Sequence, residues 1–173
     1  AMRCMRQALA DNGFNEPKIT YTLKRNQEEQ LVDIAFEVVS GVQARVGSVA
    51  VEGESGMTIE QFRHSAHLCV GAKVNHDTNN RALSGVLKHY QKQDRLEADV
   101  KLQSQTYAPD GKKTNYSFSA NRGPVVNVGI EGAKLSSDRL KRLVPVFEEG
   151  TVDEDLLNEG NRRLRDYFQR LGY

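Results

Sequence analysis

Apolar and polar positions alternate in some stretches of this chain and recur at helical spacing in others, and the two modes follow one another in a fixed order. Residues 18–24 alternate, with Ile19, Tyr21 and Leu23 on one face and Thr20 and Thr22 on the other. That pattern predicts a strand with one buried face. Residues 31–39 alternate again, with Val32, Ile34, Phe36 and Val38 inward and Asp33 and Glu37 outward. The polar stretch 25–30 between them reads as a turn, so the two strands form a hairpin. Ahead of them, 3–12 reads as the end of a helix that Gly13 stops.

The next stretch holds a complete unit. Residues 46–52 predict a strand with Val49 and Val51 on its inner face. Thr58 with Gln61 three residues later fits a capping box. It opens a helix bearing Ile59, Phe62, Ala66, Cys69 and Val70, which Gly71 ends. A second helix over 77–94 carries Leu83, Val86, Leu87 and Tyr90 on one stripe. Residues 96–107 and 114–121 then alternate as two strands, the second with Tyr116, Phe118 and Ala120 inward. Between them Ala108-Pro-Asp-Gly111 has turn chemistry, with Gly111 free to take a positive φ. The order is β-α-α-β-β.

A third stretch starts the same way. Residues 125–131 predict a strand, and Ser136 or Ser137 caps a helix carrying Leu140, Leu143, Val144 and Phe147. Gly150 stops it. Thr151 with Glu154 fits a second capping box ahead of a helix with Leu157, Leu164, Tyr167, Phe168 and Leu171 as its stripe. The strand that closes on Glu52-Gly53 returns as the strand that closes on Glu131-Gly132. A repeat of about eighty residues fixes architecture before chemistry is considered. The chain starts inside one unit and stops inside another, so it reads as a piece of a longer protein. The expected fold is α+β: tandem modules, each a small three-stranded mixed sheet covered on one face by two helices.

Composition adds mainly exclusions. The 173 residues carry 24 basic and 23 acidic side chains, a net charge of +1, too balanced for a strong field toward nucleic acid or anionic lipid. No apolar run is long enough to span a bilayer as a helix. Cys4 and Cys69 fall in apolar helical stretches and read as two buried thiols. His64 and His67, with Glu60, share a helix face but lack the further ligands of a metal site, and read as solvated. No phosphate loop and no nucleophile elbow is present, so no catalytic residue, metal or cofactor is expected. Asp153, Glu154 and Asp155 open a helix, where its dipole favours acids. The basic faces Arg139, Lys141, Arg142 and Arg162, Arg163, Arg165 read as solvated or as a docking surface.

The β-α-α-β-β order, the Val-x-Val-x-Gly strand end, the run Leu-Arg-Asp-Tyr-Phe-Gln-Arg-Leu-Gly-Tyr173 and the boundary Asn121-Arg-Gly-Pro124 resemble POTRA domains. These are the polypeptide-transport-associated repeats of BamA-type outer-membrane assembly proteins. The resemblance implies that residues 1–44 are the back of one POTRA domain, 45–121 a complete one and 122–173 the front of a third. It also implies a periplasmic region, attached to a C-terminal outer-membrane β-barrel of the same protein, that receives unfolded outer-membrane proteins and docks accessory lipoproteins. Two departures stand out. The first boundary, Ser40-Gly-Val-Gln-Ala-Arg45, is longer than the second, and a helix-ending glycine is missing at Arg95.

An open sheet edge can pair with an extended chain through backbone groups, without demanding sequence. By resemblance, the edge used is the first strand of each hairpin. That nominates Ala98, Asp99, Val100, Lys101, Leu102 and Gln103 in the complete unit, and Lys18, Ile19, Thr20, Tyr21, Thr22 and Leu23 in the first. Lys101 and Lys18 read as guards against edge-to-edge aggregation. The resemblance leaves two other functions in view: the repeat region of a two-partner secretion transporter, and an envelope-spacing protein with a single such repeat. Incomplete outer units predict exposed apolar surface and self-association, the third unit's β-α-α completing the first unit's hairpin in another molecule.

Overall fold

The structure is a computed structural model that describes residues 1–26 and 31–172. The chain runs α1 (Met2–Asp11), β1 (Lys18–Asn26), β2 (Leu31–Val39), β3 (Arg45–Glu52), α2 (Ile59–Ser65), α3 (Thr78–Gln91), β4 (Asp99–Ala108), β5 (Lys113–Asn121), α4 (Ser137–Leu143), α5 (Val146–Glu149) and α6 (Glu154–Arg170). Most of the turn expected at 25–30 lies outside the described residues, as does Tyr173.

The middle of the chain is α+β, a three-stranded mixed sheet in the order β3-β5-β4. β3 runs parallel to β5, and β4 antiparallel to it. Parallel pairing needs a crossover, and α2 and α3 supply it. Phe62 from α2, Val86 and Tyr90 from α3, and Tyr116 and Phe118 from β5 meet in one buried cluster. The Phe62 and Phe118 rings lie 5.3 Å apart. Each such side chain contributes about 1.5–3 kcal/mol by leaving water. A register shift between Val46 and Val49 turns both valines inward, which strict alternation would forbid. At Gly85 the two helices approach so closely that a Cβ would sit 2.2 Å from the Ser65 carbonyl oxygen.

Local chemistry sets the helix ends. The Thr58 hydroxyl accepts from Gln61 N–H at 3.2 Å, and Gln61 Oε1 accepts from Thr58 N–H at 3.0 Å, closing the expected capping box. α2 then stops at Ser65, short of the expected Gly71, because Leu68 folds back into the core through a turn with His67 at φ +55°. Cys69 and Val70 are thereby exposed, as is Cys4, so neither thiol is buried. After β4, the positive φ falls at Lys112, not at Gly111.

The last stretch departs further. Residues 125–131 have no strand partner among the described residues, although burial alternates there, with Val126, Val128 and Ile130 half-buried. The helix expected to run through Phe147 is split in two. Pro145 holds Val144 extended, at φ −100° and ψ 110°, as the residue before a proline is held. Ser136 stands at the start of α4 without a side-chain cap bond. The cap of α6 is Asp153, whose carboxylate accepts from Asp155 N–H at 2.8 Å, so Thr151 does not form the expected box. Val144 and Val146 bury together with Leu96 from the preceding unit.

The first stretch pairs β1 with β2 from Lys18↔Val39 to Asn26↔Leu31. Much of its expected inner face is uncovered: Val32, Ile34, Phe36 and Val38 are exposed, and among the described residues of β1 only Ile19 is buried. α1 has no buried residue.

Candidate functional site: the free sheet edge and the two junctions

The complete sheet has two outer strands, and one of them is partly occupied. On the outer side of β3, Val46 N–H donates to Ala72 O, Gly71 N–H donates to Val46 O, and Arg45 bridges to Lys73. The Arg45 guanidinium also reaches Gly71 O at 2.7 Å. β4 has no strand on its outer side among the described residues.

Along that edge Asp99, Val100, Lys101 and Leu102 pair inward with Asn121, Ala120, Ser119 and Phe118. Val100 is buried and Ala98, just ahead of the strand, packs against the core. The ladder then shifts register between Leu102 and Ser104, leaving Gln103 without a partner. Such a bulge bends and twists a strand and limits edge-to-edge pairing. Within the expected segment 98–103 the unbroken run is therefore 99–102, and the ladder resumes at 104–108 beyond the bulge. Lys101 Nζ lies 2.6 Å from Asp99 Oδ2. That pair is well exposed and adds little stability, but it puts charge on the edge. The sequence expected both Lys101 and a clean strand through Gln103; the bulge has no signature in Leu-Gln-Ser-Gln.

The second candidate edge, Lys18 to Leu23, is β1. It pairs with β2 on one side and, among the described residues, has no strand on the other. β2 likewise has no strand on its outer side among the described residues. Tyr21 and Phe36 sit with ring centroids 6.3 Å apart across the pair.

Each unit is tied to the next by hydrogen bonds. At the first junction Ala44 N–H donates to Gly13 O, Val74 N–H donates to Ala44 O, and Gln43 Nε2 donates to both Asn12 O and Val74 O. Gly13 is required there: its φ is +83°, and a Cβ would lie 2.6 Å from Val74 O. Beside it, the Glu16 carboxylate meets Lys112 Nζ and the Tyr107 hydroxyl. The Lys112 hydrogen bond holds the Glu16 carboxyl below its usual range, and the same bond raises the Lys112 ammonium. Tyr107 is raised by burial first and by Glu16 second. The far end of β4 is thus anchored to the first unit.

At the second junction Val126 N–H donates to Asp94 O at 2.7 Å, and Lys141 Nζ reaches Asp94 Oδ1 at 2.5 Å. The Arg95 guanidinium donates to Gly123 O. Asp94 has φ +57°. It holds the place in its helix end that Gly13 holds in the first unit, so the missing glycine belongs to Asp94 rather than Arg95. Among the described residues no group of His, Cys, Asp and Glu is arranged to hold a metal. His64 and His67 are exposed. No described helix is long and apolar enough to cross a membrane.

Residues 124–173 match the family model of POTRA, the surface antigen variable number repeat. No curated protein matches the chain. Among solved structures, it is similar to POTRA3-5 of BamA from Haemophilus influenzae at 18% identity and a TM-score of 0.45, covering 96% of this chain and 67% of that one. It is similar to the N-terminal domain of Omp85 from Thermosynechococcus elongatus at 15% identity and a TM-score of 0.41, covering 91% and 67%. For POTRA1-3 of the periplasmic domain of Omp85 from Anabaena the values are 15%, 0.38, 69% and 48%.

Proposed function

We propose, from the POTRA sequence that this chain carries at 124–173, that it is part of the periplasmic region of a BamA-type outer-membrane protein assembly factor. In this reading 1–44, 45–121 and 122–173 belong to three successive POTRA domains. The complete one receives unfolded barrel precursors along β4, and the tandem docks accessory lipoproteins. The observation that supports the peptide role is the open outer side of β4 at 99–102, in a sheet whose opposite edge, β3, is partly taken up by 71–74. Backbone pairing there needs no particular client sequence, which suits a protein that handles many extended chains.

The test is a titration of the isotope-labelled chain with a peptide of alternating apolar and polar residues, followed by amide shifts. The expected response is centred on Asp99, Val100, Lys101 and Leu102. A response at Lys18–Leu23 alone would move the site to the second candidate edge. A response restricted to helices would end the augmentation reading.

A further inference from the structure

The last turn of α3 and the α4–α5 corner enclose a groove of about 660 Å³ at the second junction. Its walls carry four cations, Lys88, Lys92, Lys141 and Arg142, against two carboxylates, Asp94 and Glu148. Asp94 is spent on Lys141. Lys88, Lys92 and Arg142 are exposed and have no ion-pair partner among the described residues. Phe147 supplies an apolar wall, with Lys141 Nζ 5.3 Å from its ring centroid. The chain as a whole is almost neutral, so this surplus is local.

We propose that this groove docks an acidic segment of a partner protein, with carboxylates on Lys88, Lys92 and Arg142 and an apolar side chain against Phe147. A concave surface with a surplus of one sign of charge concentrates its field on ligands of the other sign. The aromatic wall favours a polypeptide over a bare phosphate or a lipid headgroup, since neither brings apolar surface to a groove between two units. Asp94 fixes the corner of the groove, turning left-handed there as Gly13 and Gly172 do at the corresponding helix ends. Here the side chain that accepts this backbone also neutralises Lys141, so the corner of the groove is built before any ligand arrives. The proposal does not depend on peptide capture by β4, and it places its ligand on different residues.

The experiment uses the full chain and a synthetic peptide of glutamates around one phenylalanine, with a lysine version as control. The acidic peptide is expected to shift amides at 88–94 and 141–148, leaving 99–102 unmoved. Affinity is expected to fall with added salt, as exposed charge pairs require. Reversing Lys88, Lys92 and Arg142 together to Glu should weaken binding by about tenfold or more, given that mutation of rim charges alters association. All three side chains are exposed, so the variant should fold, as circular dichroism would verify. Replacing them with the opposite basic residue (Lys88→Arg, Lys92→Arg, Arg142→Lys) should retain binding. Equal binding of the lysine peptide, or an unchanged affinity in the charge-reversed variant, overturns the proposal. So does binding to phosphatidylglycerol vesicles without binding to the peptide, which would make this face a lipid contact.

Discussion

At Asp94 the backbone turns left-handed, at φ +57°, where the first repeat helix ends on Gly13 at +83° and the third on Gly172 at +86°. The repeat demands the conformation and glycine is the ordinary way to meet it; here an aspartate meets it and gains a contact to Lys141. Two other residues carry testable chemistry. The Tyr116 ring is buried in the sheet core, and its hydroxyl has no hydrogen-bond partner among the described residues. Burial pushes its pKa up to about 12 from 10. A raised folded value means full stability below pH 10, lost as pH rises from 10 toward 12, because only the unfolded chain ionises freely in that window. Tyr116→Phe should be neutral or slightly stabilising at pH 7, since it removes an unpaired buried polar group. At pH 11 it should be more stable than the parent by about 1 kcal/mol, measured by urea unfolding at both pH values. Equal pH sensitivity in the two proteins would contradict this. At the first junction Glu16 behaves oppositely. Its carboxyl is lowered below 4.5 by Lys112, so the link to Lys112 is intact above 4.5 and is lost as pH falls through the folded value. A Glu16 titration followed by carboxyl chemical shifts should have its midpoint below 4.5, and Lys112→Ala should return it to the ordinary range.

Elements whose signal is local and repeated were legible from sequence. Thr58 and Gln61 announced the start of α2, and both bonds of that box are present. Thr58→Ala is expected to cost about 1 kcal/mol, the usual loss for such a cap. Thr151→Ala should cost far less, because Asp153 caps α6; thermal melts of both variants compare the two. Strand faces were legible where a helix covers them: Tyr116, Phe118 and Ala120 all point into the core. They were not legible at β2, where the same alternation of Val32, Ile34, Phe36 and Val38 stays exposed. Alternation reports which face could be buried, and whether it is depends on elements far away in the chain. The break at Pro145 was readable in principle from the restriction a proline puts on its predecessor, but the apolar spacing of Leu140, Val144 and Phe147 masked it. Of the candidate site, the strand was visible; the bulge at Gln103 was not, because it arises from the fit of β4 to β5. The junction groove was out of reach, since it needs cations from two units brought together by Leu96, Val144 and Val146.

At the scale of the whole molecule, each junction is a set of directional bonds, so neighbouring units should hold a fixed relation rather than swing on loose linkers. The middle unit also indicates what the stretches on either side of it would accept. In it, β3 lies parallel to the second hairpin strand, and the helices that follow cover the sheet. The first hairpin offers the matching strand, β2, with an outer side free of any strand among the described residues and an apolar face built from Val32, Ile34, Phe36 and Val38. The stretch 125–131 repeats the β3 pattern, ends on Glu131-Gly132 as β3 ends on Glu52-Gly53, and has no strand partner among the described residues. Within one molecule these two pieces flank the complete unit; between molecules nothing about the order of the strands prevents their pairing. Exposed apolar patches of this extent drive association, so the chain is expected to form oligomers as concentration rises, with 125–131 and α4–α6 of one copy over β2 of another. Light scattering against concentration measures this directly. Val32→Asp with Ile34→Asp should return the chain to monomers while leaving the core of the complete unit intact, since neither residue touches it. A monomer at all concentrations would mean that the hairpin face tolerates water, and dimers that survive the double substitution would place the contact elsewhere.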